Sequence, residues 1–86
     1  MSVKVRIPTP LRPLVGGQAE ISASGATVLA LLEEIEASHP GFKARLCDDT
    51  NNLRRFINLY LNDEDIRYQE GLDTPVKDGD SLSIIP

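Results

Sequence analysis

Only one cysteine, Cys47, and one histidine, His39, occur in the sequence. A single thiol cannot form an internal disulfide, and one Cys with one His falls short of the ligand sets that hold zinc, so no metal site is expected. No apolar run approaches the roughly 20 residues needed to cross a membrane. The opening MSVKVRIPTP has no apolar core of signal-peptide length, so the expected location is the cytoplasm and no membrane partner is expected. Basic residues are in the minority, 9 Lys and Arg against 13 Asp and Glu, for a net charge of −4. Phosphate binding needs a basic face, so nucleic acid is not an expected partner, whereas a protein with a basic rim is compatible with the charge. Repeats, low-complexity tracts and linkers are missing too, so residues 1–86 are expected to form one domain. A chain this short buries only about 60–65% of the surface its unfolded form exposes. That modest core suits a carrier, adaptor or subunit better than an enzyme with an enclosed active site. The hydrophobic fraction of 41% and the charged fraction of 26% are those of an ordinary globular protein.

What is present is strong periodicity. Residues 2–7 alternate, with Val3, Val5 and Ile7 on one face and Ser2, Lys4 and Arg6 on the other, which predicts a half-buried strand. Pro8, Pro10, Pro13 and Gly16-Gly17 break the pattern into a loop. Gln18 to Ala23 alternates again, with Ala19 and Ile21 expected inward, and pairs with the first strand as a hairpin. Thr27 is placed as a helix N-cap, and Val28, Leu31, Leu32 and Ile35 follow at i, i+3, i+4 and i+7. His39-Pro40-Gly41 ends that helix. Phe42 and Leu46 are expected to plug the core, while residues 48–52 read as a solvated excursion. Arg55 to Asn62 is predicted as the strongest strand, with Ile57, Leu59 and Leu61 inward. Asn62 to Asp65 then forms a turn and Ile66-Arg67-Tyr68 a short returning strand. Leu72, Pro75 and Val76 are expected inward, Asp78-Gly79-Asp80 as a tight turn, and Ser81 to Ile85 as the last strand.

Strand, strand, helix, strand, short strand, strand is the order of an α+β, ubiquitin-like β-grasp fold. It has a mixed sheet of four to five strands with one main helix on one face, and the last strand lies beside the first in the middle. Several stretches resemble one family. They are VKVRIPTPLRPLVGGQAEISASG, ATVLALLEEIEASHPG, LRRFINLYLNDEDIRY and VKDGDSLSIIP. Together they resemble the ThiS/MoaD sulfur carriers, and among these the CysO-type carriers of cysteine biosynthesis, over nearly the whole chain. The most specific is RFINLYLNDEDIRY.

The resemblance implies a non-enzymatic carrier whose C-terminal Gly-Gly is adenylated by a ubiquitin-activating-like partner using ATP and magnesium. Sulfur then displaces AMP to leave a thiocarboxylate. It further implies a PLP-dependent cysteine synthase that uses the thiocarboxylate and a metalloprotease that releases cysteine. No cofactor is expected on the carrier itself. The sequence printed ends at Pro86, so the sulfur-carrying glycine is expected just beyond it. The alternatives are a β-grasp interaction or modifier module without sulfur transfer, the small subunit of molybdopterin synthase, and a thiamine-pathway carrier.

Phe56, Asn58 and Tyr60 alternate with the inward set of their strand, and Lys4, Arg6, Ser83 and Ile85 share that outer side if the last strand is central. An open sheet face is the usual docking surface of ubiquitin-like proteins, so Phe56, Asn58, Tyr60, Arg6 and Ile85 are the expected partner-docking residues. Cys47, flanked by Asp48, is read as structural rather than nucleophilic, and His39 as a helix-end residue. Asp63-Glu64-Asp65 lacks the spaced ligands of a calcium loop. Gly16-Gly17 is turn chemistry rather than an internal diglycine.

Overall fold

The computed structural model describes residues 2–50 and 52–85; Met1, Asn51 and Pro86 lie outside the described residues. Its strands are β1 (Val3–Arg6), β2 (Glu20–Ala23), β3 (Asn58–Leu61), β4 (Glu64–Asp65) and β5 (Ser81–Ile85). They form one five-stranded sheet in the order β2-β1-β5-β3-β4. β1 and β2 are an antiparallel hairpin, β5 lies parallel to β1, and β3 is antiparallel to β5. This is the expected β-grasp, with the last strand central.

Helix α1 (Val28–Ser38) covers one face of the sheet. The Thr27 hydroxyl accepts the Ala30 N–H at 3.2 Å, which satisfies one of the free donors of the first turn. Val28, Leu31, Leu32 and Ile35 are all buried against the inward residues of the strands, Val3, Val5, Leu59, Leu82 and Ile84. Burying a side chain of this kind contributes roughly 1.5–3 kcal/mol before entropy is subtracted. A methyl group at Gly25 would meet the Ala30 Cβ at 2.7 Å and the Ala30 backbone carbon at 3.0 Å, so only glycine lets the chain pass this close to the start of the helix. The expected plug at Phe42 and Leu46 is present as a short helix, α2 (Phe42–Leu46), with both side chains fully buried.

The irregular segments depart from the sequence reading in instructive ways. The proline-rich stretch is not an open loop. Thr9–Val15 is a 3-10 helix that buries Leu11 and Val15, started by the Leu11 N–H on the Pro8 carbonyl at 3.0 Å. The prolines break the strand but suit a helix start, where N–H donors are spare anyway. Ala19 is exposed and Ile21 half-buried, because they lie on edge strand β2 and its approach, beyond the cover of the helix.

The predicted strand at 55–62 is shorter, and Phe56 is not in it. Arg55 and Phe56 form a turn closed by the Ile57 N–H on the Arg54 carbonyl at 3.1 Å. The Ile57 carbonyl is taken by the Arg67 guanidinium at 2.7 Å. The turn after β3 is also tighter than expected. Asn62 and Asp63 both have left-handed φ, 51° and 72°, as a two-residue hairpin turn demands, which frees Glu64 and Asp65 to become β4. The predicted strand at Ile66–Tyr68 is a 3-10 turn. The Asp65 carboxylate accepts the Arg67 N–H at 2.9 Å and curls the chain, and Ile66 drops into the core. Further on, Pro75 is exposed and Leu72 only half-buried, while Thr74 is buried. Its hydroxyl donates to the Gly71 carbonyl at 2.7 Å and accepts the Glu70 N–H at 3.1 Å, so its burial leaves nothing unpaired.

The entry into β5 is fixed by a side-chain network. Asp80 accepts hydrogen bonds from the Asn62 amide at 3.0 Å and the Lys77 N–H at 2.9 Å. Asn62 in turn accepts the Ser81 N–H at 3.0 Å. The Asn62 bond, joined by the N–H and charge of Lys77 and opposed by burial, holds the Asp80 carboxyl below its ordinary value. A depressed carboxylate pKa contributes stability above the unfolded value, about 4, and that contribution is lost as pH falls through the folded value. Asp80→Asn should therefore lower the melting temperature by a few degrees near neutral pH. The gap to the parent chain should close below about pH 4. Melting curves across pH check this, and a gap that is constant with pH would contradict it.

Candidate functional site

α1 covers one face of the sheet, and the alternation of each strand sends the other set of side chains to the opposite face. Register aligns that set into rows. Glu20, Arg6, Ser83, Tyr60 and Asp65 stand side by side across all five strands. Ser22, Lys4 and Ser81 form the next row, and Ile85 stands opposite Asn58 in the row on the other side. Lys4 and Arg6 are exposed, Asn58, Tyr60 and Ser83 half-buried, and Ile85 exposed. A depression of about 240 Å³ on this face is lined by Arg6, Asn62, Asp63, Ser81 and Ser83.

Four of the five expected docking residues, Arg6, Asn58, Tyr60 and Ile85, thus sit on one open surface. Phe56 reaches its margin by a different route, from the turn that precedes β3. Because Asn58 is opposite Ile85 in antiparallel register, the Arg54–Ile57 segment lies beside the path by which the chain leaves the sheet after Ile85. On the opposite side of β5, parallel β1 brings Ile7, whose carbonyl accepts from the Arg12 guanidinium at 3.1 Å. The exit of β5 is therefore bordered on both sides by segments that arginines hold in place. The sulfur-carrying glycine expected beyond Pro86 lies outside the described residues.

Arg67 and Tyr68 were not legible as part of this region. Alternation put them in a strand, whereas Asp65 turns the chain there and leaves Tyr68 the most exposed large side chain among the described residues. The signal available was Asp65 itself, since an Asp two residues before a bondable N–H is a turn former as well as a strand end.

The remaining candidates lie elsewhere. Cys47 is buried beneath a cleft of about 290 Å³ lined by residues that include Glu36, Lys43, Asp48 and Arg54. Burial pushes its thiol up, and Asp48 adds to that, against the opposing charges of Lys43 and Arg54. A thiol held neutral is a poor nucleophile. His39 closes α1 through its backbone N–H on the Ile35 carbonyl at 2.7 Å. Among the described residues no three His, Cys, Asp or Glu side chains are grouped to hold a metal ion, and no helix is long and apolar enough to cross a membrane.

Known proteins share this arrangement. The model of the ThiS family matches residues 5–86. The sulfur carrier protein CysO of Mycobacterium tuberculosis is 49% identical over 88 residues, which span 100% of this chain and 95% of the relative. Its crystal structure superposes with a TM-score of 0.94 and covers 98% of this chain and 97% of that one. A chain in the crystal structure of the Amycolatopsis orientalis BexX/CysO complex is 51% identical with a TM-score of 0.94, over 98% of this chain and 93% of that one. The small archaeal modifier protein 1 of Methanosarcina acetivorans is 31% identical with a TM-score of 0.85, over 99% of this chain and 91% of that one. With the sheet order, the helix cover and the matched length in agreement, the chain belongs to the ThiS family.

Proposed function

We propose that the protein is a sulfur carrier, the substrate of an activating enzyme rather than a catalyst. The observation that carries this reading is the near-half identity to the CysO carrier over the whole chain. The position of β5 supports it: a central strand that ends at the rim of an open face delivers whatever follows it clear of the core. A C-terminal Gly-Gly after Pro86 would be thin and flexible enough to enter a narrow active site. There a carboxylate oxygen attacks the α-phosphorus of magnesium-bound ATP and pyrophosphate leaves. A sulfur nucleophile then attacks the acyl carbon, AMP leaves, and a thiocarboxylate results. Cysteine biosynthesis is the proposed destination, with a PLP-dependent synthase as acceptor of the thiocarboxylate and a metalloprotease to release the product. The open face of Arg6, Asn58, Tyr60 and Ile85, with Phe56 at its margin, is the proposed contact for the activating enzyme.

A ubiquitin-like modifier is the second reading, favoured by the likeness to the archaeal modifier. The intact mass of the full chain, after incubation with the host's activating enzyme, magnesium-ATP and sulfide, separates the two. The carrier reading expects one oxygen-to-sulfur exchange at the C-terminus. Consumption of ATP without that exchange, together with isopeptide-linked lysines on other proteins, would establish the modifier instead.

A further inference from the structure

Three large apolar or aromatic side chains are markedly exposed among the described residues: Tyr68 at 88%, Phe56 at 66% and Ile85 at 46%. They come from three separate segments, yet one residue ties all three segments together. Arg67 immediately precedes Tyr68 in the 3-10 turn. Its Nη1 donates to the Asn58 side-chain oxygen at 2.6 Å, and Asn58 is the direct partner of Ile85. Its Nη2 donates to the Ile57 carbonyl at 2.7 Å and to the Arg54 carbonyl at 3.3 Å, the two carbonyls that bracket Arg55 and Phe56. Asp65 sets the base of the arginine, its carboxylate on the Arg67 N–H at 2.9 Å and 3.9 Å from Nη1. The ion pair itself is exposed and adds little. The geometry adds more, because a planar guanidinium can satisfy acceptors on two neighbouring segments at once, which an ammonium on a flexible stem cannot.

From this arrangement we infer that Arg67 is a positioning residue that assembles Phe56, Tyr68 and Ile85 into one apolar docking edge, with Tyr68 a contact residue on it. The inference rests on the carrier reading. The occupant of the edge is the adenylating enzyme that receives the C-terminus. The edge borders the exit of β5, so a partner that draws the following residues into its active site closes over these three side chains first. Large, rigid aromatics beside such an entry are the usual anchors of an interface.

The test is equilibrium binding of the full chain and its variants to the host's adenylating enzyme, with a melting curve for each variant. Phe56→Ala and Tyr68→Ala should each weaken binding about tenfold. Arg67→Gln should do the same, and Arg67→Lys should fail to restore binding although it keeps the charge. In the Arg67→Gln background, Phe56→Ala should cost much less than it does alone, because the edge is already dispersed. Full binding by Arg67→Lys, or losses that simply add, would overturn the positioning role. Unchanged binding by Tyr68→Ala would overturn the three-residue edge. If Arg67→Gln does not fold, Arg67→Lys and Tyr68→Ala still decide the matter. Failure of the parent chain to acquire sulfur would count against the carrier reading alone, since binding is measured without turnover.

Discussion

Leu82→Ala should lower the melting temperature by about 15–25 °C, corresponding to about 3–4 kcal/mol in a domain of this size. Leu82 is fully buried at the middle of central strand β5, directly between Val5 of β1 and Leu61 of β3. Strands on both sides hold the backbone there, so the neighbours cannot collapse into the space left by the missing methyl groups. A residual cavity adds to the lost transfer free energy. Total stability for a small domain is only about 5–10 kcal/mol, so the variant would keep a fraction of it. Thermal or denaturant unfolding measures the effect. A loss under about 1 kcal/mol would mean that β5 is not the packed centre of the sheet.

Phe56→Asp should weaken binding to the activating enzyme by about a hundredfold while changing stability by no more than about 0.5 kcal/mol. The residue is 66% exposed in a turn, so its loss opens no cavity, and a carboxylate in its place stays solvated until a partner covers it. Desolvating that charge against an apolar pocket then opposes docking. Tyr60→Asp is a less clean probe. Tyr60 stands directly opposite Asp65, and a second carboxylate there adds cross-strand repulsion to the folded state before any partner arrives. Unchanged affinity in Phe56→Asp, measured by calorimetry on the folded variant, would remove this corner of the molecule from the docking role.

The contrast between those two residues shows where reading from sequence stopped. Tyr60 was assigned to its face correctly because alternation over Leu59, Tyr60 and Leu61 is a local property of an extended chain. Phe56 obeys the same alternation but lies in a turn. The Ile57 carbonyl is occupied by an arginine ten residues along, which one-dimensional periodicity does not register. The same limit explains Thr74. Polar residues are assumed exposed, and its burial depends on partners at Glu70 and Gly71 that only the folded loop supplies.

By itself the sequence determined the helix from its cap at Thr27 through Ile35, the inward residues of β1, β3 and β5, and the order of elements that makes the β-grasp. All of these follow from repeats of 3.6 or 2 residues set by backbone geometry, which short windows reveal. Tertiary structure alone decided where the strands stop, how residues 9–15 and 66–68 curl, and which exposed side chains share the edge beside the exit of β5. Those outcomes depend on hydrogen bonds between segments, above all the fork of Arg67, and such bonds have no period to read.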